Sequence, residues 1–586
     1  MIVPKLPRTP GGKLDPSGLP PLTRAATDRD RTRSQVTGHG TRGDLQRIWA
    51  EVLGLPDVAP DDNFFALGGD SILAIRVVSA ARELGLDIAV VDLFRHQTLA
   101  ALVEHTTPAE RVQDSRATPL TRSSPETLVS ALDLSEAEAV RLLARFVDAE
   151  EVQPAGPLQE WGLDRLRVAP RSGLFRVHEA FDLTGTDADA LVLAWQAVAE
   201  HHPALRTSLH RDGDTALQVV HRNVRVPVER HDLRELDTTA AQARLGELLT
   251  RIKHEPVAPE DPCQVRLHVL DLGPGPAYLL WTFSYLVVDG WSFPHILADL
   301  FTVHDAIREG RPWQLPARPT AGAAGGTSHP SQTQTDTFWK NRVRPGSRGL
   351  VALPSGADEP DGYAHQRVWL GSDRTAALVE AGRRHGLTLH TLVLGAYALA
   401  LGRMLESDCV VFGTVVSGRS DPALDDVVGS LGSRLPMWAD IPDETSCLDR
   451  LRQLQSEHAE VSAHGHVSLI DLHRWVGTEP GSLYDTEVIV QNFPFGAGLQ
   501  GRLAGWNPVS NGSRGDSVAR LTVWPDSSML LKLSHDTAAL SDARALALLA
   551  RVRTVLERMS LGLTLPLADY ATGAATTSIT KEDRPI

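Results

Sequence analysis

Ser71 is the residue of this chain whose type and setting point most directly to covalent chemistry. It follows Gly68, Gly69 and Asp70 and opens a run in which apolar residues recur at helical spacing. Glycines reach backbone angles closed to other residues, and the first turn of a helix leaves amide N–H groups unpaired, ready for a phosphate. Taken alone, these four residues favour a loop ending in an ordinary N-capping serine. A phosphodiester on Ser71 is the functional alternative.

The residues around Ser71 favour the functional alternative. The segment from about residue 44 to 105, with DNFFALGGDSIL at residues 62–73, closely resembles a peptidyl carrier domain of a non-ribosomal peptide synthetase. The resemblance implies that Ser71 is the attachment site of 4′-phosphopantetheine, with Gly69 and Asp70 beside it in the cofactor site. The thiol of that group would hold an aminoacyl or peptidyl group as a thioester, and a phosphopantetheinyl transferase would attach it.

A second set of motifs lies in the larger, C-terminal part of the chain. Five blocks there resemble, in the same order, those of the condensation-domain superfamily of peptide synthetases. The resemblance implies two lobes of the chloramphenicol acetyltransferase type, with a tunnel between them that admits a donor carrier on one side and an acceptor on the other. The blocks are residues 157–160 (PLQE), 200–208 (EHHPALRTS), 412–419 (FGTVVSGR), 428–436 (VGSLGSRLP) and 490–494 (VQNFP).

The central motif of that superfamily, HHxxxDG, is altered in this chain. Ser284 and Tyr285 replace the two histidines, while Asp289 and Gly290 remain. In the family the second histidine orients or deprotonates the attacking amine, and a general base must titrate near the working pH. Tyrosine titrates near ~10 and serine is not a base at all. The resemblance gives Asp289 a structural role, as the partner of an arginine elsewhere in the fold.

Another segment of the implied tunnel also departs from the family pattern. Relatives usually have phenylalanine, isoleucine, asparagine and threonine before a Leu-Pro pair, where this chain has LGSR at residues 431–434. Two altered cleft motifs indicate lost or redirected chemistry. The paired His201 and His202 fall on the second block, not on the catalytic motif. Lone histidines such as His466 and His473 are more often hydrogen-bonded structural residues than bases.

Composition excludes several classes of protein. The 586 residues carry a net charge of -15 and a pI near 5.8, which argues against nucleic acid or an anionic membrane as a main partner. The three cysteines lie far apart without paired ligand spacing, so neither a metal site nor a disulfide framework is predicted. No run of about eighteen apolar residues and no signal-peptide core are found. These features predict a cytoplasmic protein without a membrane partner.

The elements that must position these motifs follow from apolar periodicity. We predict a multidomain protein, in which a small all-α four-helix carrier bundle precedes a large α/β domain of two chloramphenicol acetyltransferase-like lobes. The carrier core is assigned to the apolar faces around Trp49, around Val77 and Val78, and near Leu99. In the large domain we predict strands at 277–288, 409–414, 486–491 and 529–534 and helices at 188–200, 375–385 and 389–403.

Composition also suggests where the domains end. A run at residues 6–15 (LPRTPGGKLD) looks like the last motif of an adenylation domain, whose lysine, here Lys13, contacts the acyl-adenylate. The rest of that domain is missing from this chain. The interval 309–335 reads as a mobile insert or lobe connector. The predicted units are an adenylation-domain remnant and linker (1–40), the carrier domain (41–106), a linker (107–127), the condensation-like domain (128–570, lobe boundary near 309–336) and a flexible tail (571–586).

Two functions remain open for a peptide-synthetase component of this design. In the first, the carrier holds its thioester beside a catalytically impaired condensation-like domain that serves as a scaffold, gate or recruitment platform. In the second, the domain still forms an amide bond by positioning its substrates. A free-standing acyltransferase is a third possibility. Expected partners are an adenylation domain, in trans or upstream, and other carrier domains or tailoring enzymes.

Overall fold

The computed structural model describes residues 40–108, 136–170, 172–182, 187–254, 258–271, 277–320, 330–344, 362–419, 424–476, 483–491, 507–513 and 516–571. Four predictions lie outside the described residues: the motif of Lys13, the linker from residue 109 onward, the end of the fifth block and the tail beyond residue 571.

The first described unit is a bundle of four helices, as the periodicity predicts. Its core is aromatic: Trp49, Phe64 and Phe65 are fully or almost fully buried, and their rings meet edge to face. Burying such side chains contributes about 1.5–3 kcal/mol each. A two-stranded sheet joins the bundle. The elements are α1 (Thr41–Leu53), α2 (Ser71–Glu83), β1 (Leu86–Asp87), α3 (Val90–Arg95), α4 (Leu99–His105) and β2 (Thr107–Pro108).

The large domain begins with a lobe built on two sheets. A five-stranded sheet has the order β14-β4-β9-β8-β7 and a three-stranded sheet the order β3-β6-β5. Its helices are α5 (Glu136–Arg145), α6 (Pro157–Val168), α7 (Ala188–His201), α8 (Thr238–His254) and α9 (Phe293–Glu309). Its strands are β3 (Ala149–Pro154), β4 (Arg176–Asp182), β5 (Thr207–Asp212), β6 (Thr215–His221), β7 (Val228–Asp232), β8 (Val265–Asp271), β9 (Ala277–Ser284) and β14 (Asn507–Ser513).

The second lobe is a six-stranded mixed sheet with the order β10-β16-β15-β13-β11-β12. Its helices are α10 (Gln332–Arg342), α11 (Ser372–Arg384), α12 (Leu389–Leu405), α13 (Cys447–Ala463), α14 (Leu469–Val476), α15 (Asp542–Met559) and α16 (Leu567–Ala571). Its strands are β10 (Tyr363–Trp369), β11 (Cys409–Val416), β12 (Ser433–Asp440), β13 (Thr486–Val490), β15 (Ala519–Trp524) and β16 (Leu530–Asp536).

One strand crosses between the lobes. β14 follows β13 of the second lobe in the chain, yet it pairs antiparallel with β4 of the first lobe. The two lobes therefore share a single continuous core of buried apolar residues. Among the described residues no single helix is long and apolar enough to cross a membrane; α11 and α12 meet that test only as a pair, which is bent by 107°.

The predicted helices and strands of the large domain are found close to the expected positions, with two corrections. The strand predicted at 277–288 ends at Ser284, because the chain turns there to form the altered motif. The interval predicted as a mobile insert or lobe connector makes a specific contact in its described part: Arg318 forms an ion pair with Asp299 at 3.1 Å. The last residues of the interval already belong to α10, since Ser331 and Gln334 cap that helix reciprocally.

Candidate functional site: the carrier docked at the inter-lobe cavity

The loop before Ser71 is shaped by two glycines and a helix-capping aspartate. Gly68 adopts a φ of 103°, which side chains disfavour. Gly69 lies so close to the Phe64 ring that an added Cβ would sit 2.3 Å from Cε1. Asp70 caps the helix, because its Oδ1 accepts a hydrogen bond from the Leu73 amide at 2.9 Å. Ser71 is thus the first helical residue of α2 and not its N-cap.

The carrier domain packs on the second lobe through α3. Ala459 of α13 belongs to the apolar cluster of the carrier core. The adjacent Glu460 forms an ion pair with Arg95 at the end of α3. A second ion pair joins Arg76 of α2 to Asp425 at 3.4 Å. An apolar contact flanked by two opposite-charge pairs orients the carrier.

This docking brings the loop of Ser71 to the mouth of a large cavity. The cavity has a volume of about 1760 Å³ and extends between the lobes. Gly68, Gly69 and Asp70 line it on the carrier side, and Tyr285 lines it in the first lobe. The residues present therefore fit a phosphopantetheine arm, since the helix start can hold a phosphodiester and the cavity beside it has room for a flexible chain.

Tyr285 stands where the family motif has its second histidine, and its side chain is restrained on two sides. Its hydroxyl accepts a hydrogen bond from Nη2 of Arg520 at 3.2 Å. The guanidinium of Arg434 lies 5.0 Å from the centre of its ring, close enough for a cation–π contact. Arg434 is the last residue of the altered LGSR segment. The two departures from the family pattern therefore meet in space.

Both arginines belong to a buried network of four charges. Arg520 and Arg434 each pair with Glu487, the latter at 3.7 Å, and Arg434 also pairs with Asp516. Trp161 donates a hydrogen bond to Asp516 at 2.6 Å. Burial alone would raise the pKa of Asp516, but Arg434, that hydrogen bond and Arg165 lower it below the usual value. Tyr285 therefore contacts two arginines whose charges are balanced by two carboxylates.

Ser284 does not share this environment. Its side chain is 9% exposed and lines a separate, small pocket beneath the motif. Its Oγ accepts a hydrogen bond from the Leu286 amide at 3.3 Å, which stabilises the turn after β9. The structure therefore places Tyr285, Asp289 and Gly290 on the large cavity and Ser284 away from it.

Asp289 forms the ion pair that the resemblance implies. Both of its oxygens accept hydrogen bonds from Arg419, at 2.6 and 3.1 Å. Arg419 ends the third sequence block and is 2% exposed. Asp289 also accepts hydrogen bonds from the amides of Ser292 and Leu431. This carboxylate thus links the motif of the first lobe to the second lobe.

Of the other histidines named in the sequence analysis, three make packing contacts and one lines the cavity. His202 is bound to Asp299 at 2.9 Å and His201 to the Pro316 carbonyl, so both serve the packing of the first lobe. His473 stacks on Trp161, with ring centres 5.1 Å apart. His466 does line the cavity, where burial lowers its pKa.

Sequence reasoning missed a pair of neighbouring imidazoles in the cavity wall. His390 of α12 and His458 of α13 lie with ring centres 4.5 Å apart. Burial lowers the pKa of His390 to about 4 and that of His458 well below its usual value. Within the described part of the chain, Nε2 of His458 has no hydrogen-bond partner. The pair lies next to Ala459, on the carrier side, and its lowered pKa values favour the neutral imidazoles.

The charged network was also missed. Glu487 and Arg520 alternate with apolar residues in β13 and β15, a pattern that normally marks a solvent-facing strand side. Here that side faces the other lobe. The one available signal was Arg434 itself, a charged residue in place of threonine at the start of a buried strand.

Comparison with known proteins agrees with this geometry. The family model described as "Condensation domain" matches residues 150–576, and the one described as "Phosphopantetheine attachment site" matches residues 43–106. A linear gramicidin synthase of Brevibacillus parabrevis is 29% identical over 420 residues, which cover 70% of this chain and 8% of that protein. This chain therefore spans less than a tenth of that relative.

Two solved structures have the same fold. The EpoB cyclization-docking bidomain of a peptide synthetase from Sorangium cellulosum matches with a TM-score of 0.62 and 19% identity, over 74% of this chain and 92% of that one. SgcC5 from Streptomyces globisporus matches with a TM-score of 0.56 and 22% identity, over 70% of this chain and all of that one. The large α/β unit thus has the condensation-domain fold. The chain belongs to the condensation-domain family of non-ribosomal peptide synthetases, with a domain for covalently attached 4′-phosphopantetheine ahead of the condensation domain.

Proposed function

We propose that this chain is a carrier and platform unit of peptide natural-product assembly, in which the condensation domain receives the loaded carrier without supplying a general base. The single observation that carries this proposal is the environment of Tyr285. Its hydroxyl is held by Arg520 and its ring lies against Arg434, in the position where the family has an imidazole. A phenol is a poor proton acceptor at neutral pH.

We further propose Ser71 as the attachment point. Once attached there, 4′-phosphopantetheine would supply a thiol that carries an acyl group as a thioester. Asp70 holds the start of α2 in place and Gly69 lets the loop pack against Phe64. Arg95 and Glu460 keep this helix start over the cavity. Tyr285, Asp289 and Gly290 then act as structural residues of the cavity wall, and Ser284 stabilises the turn after β9.

The alternative function is amide-bond formation by positioning alone. The observation that favours it is the open cavity between the docked carrier and Tyr285. Holding an amine and a thioester in line can itself lower a barrier by about 7–11 kcal/mol. Under this alternative the protein's contribution is the shape of the cavity, because the motif residues offer no base.

Intact-protein mass spectrometry distinguishes the two functions. A promiscuous phosphopantetheinyl transferase loads the chain from an aminoacyl-coenzyme A, forming the phosphodiester on serine and releasing adenosine 3′,5′-bisphosphate, and candidate aminoacyl acceptors on carriers are added. Loading should occur in the parent chain and be absent in Ser71→Ala. The control is Ser462→Trp, in which a bulky ring in the cavity wall blocks the cavity. The platform function predicts that acyl transfer in the parent chain is no faster than in this blocked control.

Transfer clearly above that blocked control would overturn the platform function in favour of condensation. In that case Tyr285→Phe is the next variant. Unchanged transfer would mean that the tyrosine hydroxyl takes no part and that positioning suffices. Failure of Ser71→Ala to abolish loading would refute the proposed attachment point, whichever function holds.

A further inference from the structure

The outer edge of the first lobe holds a group of side chains with the donor atoms of a metal site. Strand β7 is the last strand of the five-stranded sheet and runs parallel to β8. Glu229 lies directly opposite His268 in this pair, and His231 follows Glu229 by two residues. Residues two apart on a strand share a face. The three side chains therefore converge above the same face of the sheet.

Their donor atoms form an equilateral triangle. Oε2 of Glu229 is 3.5 Å from Nε2 of His231 and 3.5 Å from Nδ1 of His268. The two ring nitrogens are also 3.5 Å apart. These distances are long for hydrogen bonds, whose usual range ends near ~3.2 Å. The three donor atoms are thus spaced more widely from one another than in ordinary hydrogen bonds.

The same distances suit a small divalent cation. The centre of a triangle with sides of 3.5 Å lies 3.5/√3, or about 2.0 Å, from each corner, and zinc binds histidine nitrogen and carboxylate oxygen at about 2.0–2.2 Å. Two imidazoles and one carboxylate are a ligand set used by zinc. We propose that Glu229, His231 and His268 bind a divalent transition metal of the zinc type, with a fourth coordination position open to water.

Exposure and neighbouring charge are consistent with this assignment. The His268 side chain is 2% exposed and that of His231 14%, so two ligands are held firmly, while Glu229 is 55% exposed and leaves the site open to solvent. Arg251 of α8 donates to the same Oε2 at 3.1 Å. Since Arg251 is itself 55% exposed, it can turn away when a cation takes its place.

A second group with suitable donor atoms provides a contrast. His201, His202 and Asp299 also lie close together. There Asp299 already binds His202 with one oxygen, and Arg318 contacts both of its oxygens, so a fixed and buried cation neutralises the carboxylate. Among the described residues, the arginine that pairs with Glu229 is the exposed Arg251. A metal on the edge site would tie β7 to β8, which is a role distinct from the proposed platform function.

Zinc titration tests the site. The full chain carrying Ser71→Ala, which excludes a pantetheine thiol, is stripped of metal with a chelator and titrated with Zn²⁺ against a chromophoric competitor. We expect His231→Gln and Glu229→Gln each to weaken binding at least about tenfold, since the loss of even a supporting group costs 10–100-fold. His201→Gln, in the contrasting group, should bind zinc like the parent.

Two further measurements complete the test. Zinc should raise the thermal midpoint of the parent chain and leave that of His231→Gln unchanged, which reports the site even if His268 variants fail to fold. Arg251→Gln should bind zinc more tightly, because it removes the competitor for Oε2. Equal zinc affinity in the parent and His231→Gln, or loss of binding in His201→Gln alone, would overturn the proposal.

Discussion

At the scale of single residues, the two altered motifs form one structural unit. A histidine in place of Tyr285 would lie beside the guanidinium of Arg434, and a threonine in place of Arg434 would leave Glu487 and Asp516 with one cation fewer. Buried charges are tolerated only when they are paired. The departures from the family pattern at Tyr285 and Arg434 are therefore mutually compatible. In place of an imidazole, the cleft has a tyrosine beside a network of arginines and carboxylates whose charges balance.

The network gives a direct stability prediction. Arg434→Met removes one of its two cations and leaves two buried carboxylates to a single arginine. We expect the free energy of unfolding to fall by about 3–5 kcal/mol, as found when one partner of a buried pair is removed. Thermal unfolding followed by circular dichroism measures the loss.

The matched control is Arg474→Met. Arg474 is also paired with an aspartate, Asp471, but its side chain is 69% exposed. Exposed substitutions of this kind usually change stability by less than about 0.5 kcal/mol. Equal effects of the two substitutions would mean that the buried network does not stabilise the cleft.

At the scale of helices and strands, α3 and α13 form the joint between the carrier and the second lobe. Arg95 is about half exposed, and Glu460 is 29% exposed. A pair of this kind contributes about 0.2–1 kcal/mol. The charge pair therefore guides the orientation of the carrier, while Ala459 provides the apolar contact.

Charge reversal tests this joint. Glu460→Arg places a third cation beside Arg95 and Arg342, and we expect it to lower the equilibrium constant for carrier docking about fivefold, as a change of about 1 kcal/mol allows. The double variant Arg95→Glu with Glu460→Arg should restore docking in part, because it re-forms one opposite-charge pair while Arg342 remains beside the introduced arginine. Distances between spin labels on α1 and α15 of the intact chain measure the docked population. A double variant as weakly docked as the single one would contradict the contact.

The histidine pair on α12 and α13 makes stability depend on pH. The pKa of His390 is lowered to about 4 in the folded protein by burial, whereas an unfolded histidine titrates near ~6.5. Between these values the unfolded chain binds more protons than the folded one, so stability falls as the pH is lowered from above 6.5 toward 4.

Thermal midpoints at pH 7.5 and pH 5 test this dependence. We expect His390→Gln to lose less stability than the parent between pH 7.5 and pH 5. The substitution removes about one proton from the difference in proton binding between the unfolded and the folded chain. His201→Gln, on the first lobe, serves as control and should follow the parent. A slope for His390→Gln as steep as that of the parent would mean that the imidazole is not kept neutral by the fold.

The regular elements were predictable because local periodicity determines them. Residues 188–200 and 389–403 show continuous helical spacing and form α7 and α12. Where prediction failed, long-range contacts decide the structure. The four-charge network draws on β12, β13, the turn before β15 and β15 itself, and the triangle of Glu229, His231 and His268 needs the register of two parallel strands. A strand register cannot be read from one strand alone.

At the scale of the whole molecule, the cavity depends on how the two lobes are joined. β14 of the second half of the chain pairs with β4 of the first lobe. Asp289 provides a second link through Arg419 and the Leu431 amide. The aspartate that the altered motif retains therefore keeps the lobes in register, a task that is independent of the missing histidines.

Asp289→Ala tests that link. The substitution leaves Arg419, which is 2% exposed, buried opposite a methyl group, and a buried charge that loses its partner costs about 3–5 kcal/mol. We expect a lower thermal midpoint and a wider spread of distances between labels placed on α7 and α15. Asp289→Asn should be milder, because the amide oxygen still accepts a hydrogen bond from Arg419.

The distances separate two explanations for a loss of function in these variants. If Asp289 acts only through the lobes, docking of the carrier should weaken in proportion to the spread of inter-lobe distances, and Asp289→Asn should fall between the parent and Asp289→Ala. If the distribution of inter-lobe distances stays narrow while the thermal midpoint drops, the ion pair stabilises the motif turn alone. In that case β14 would be what holds the lobes together around the cavity.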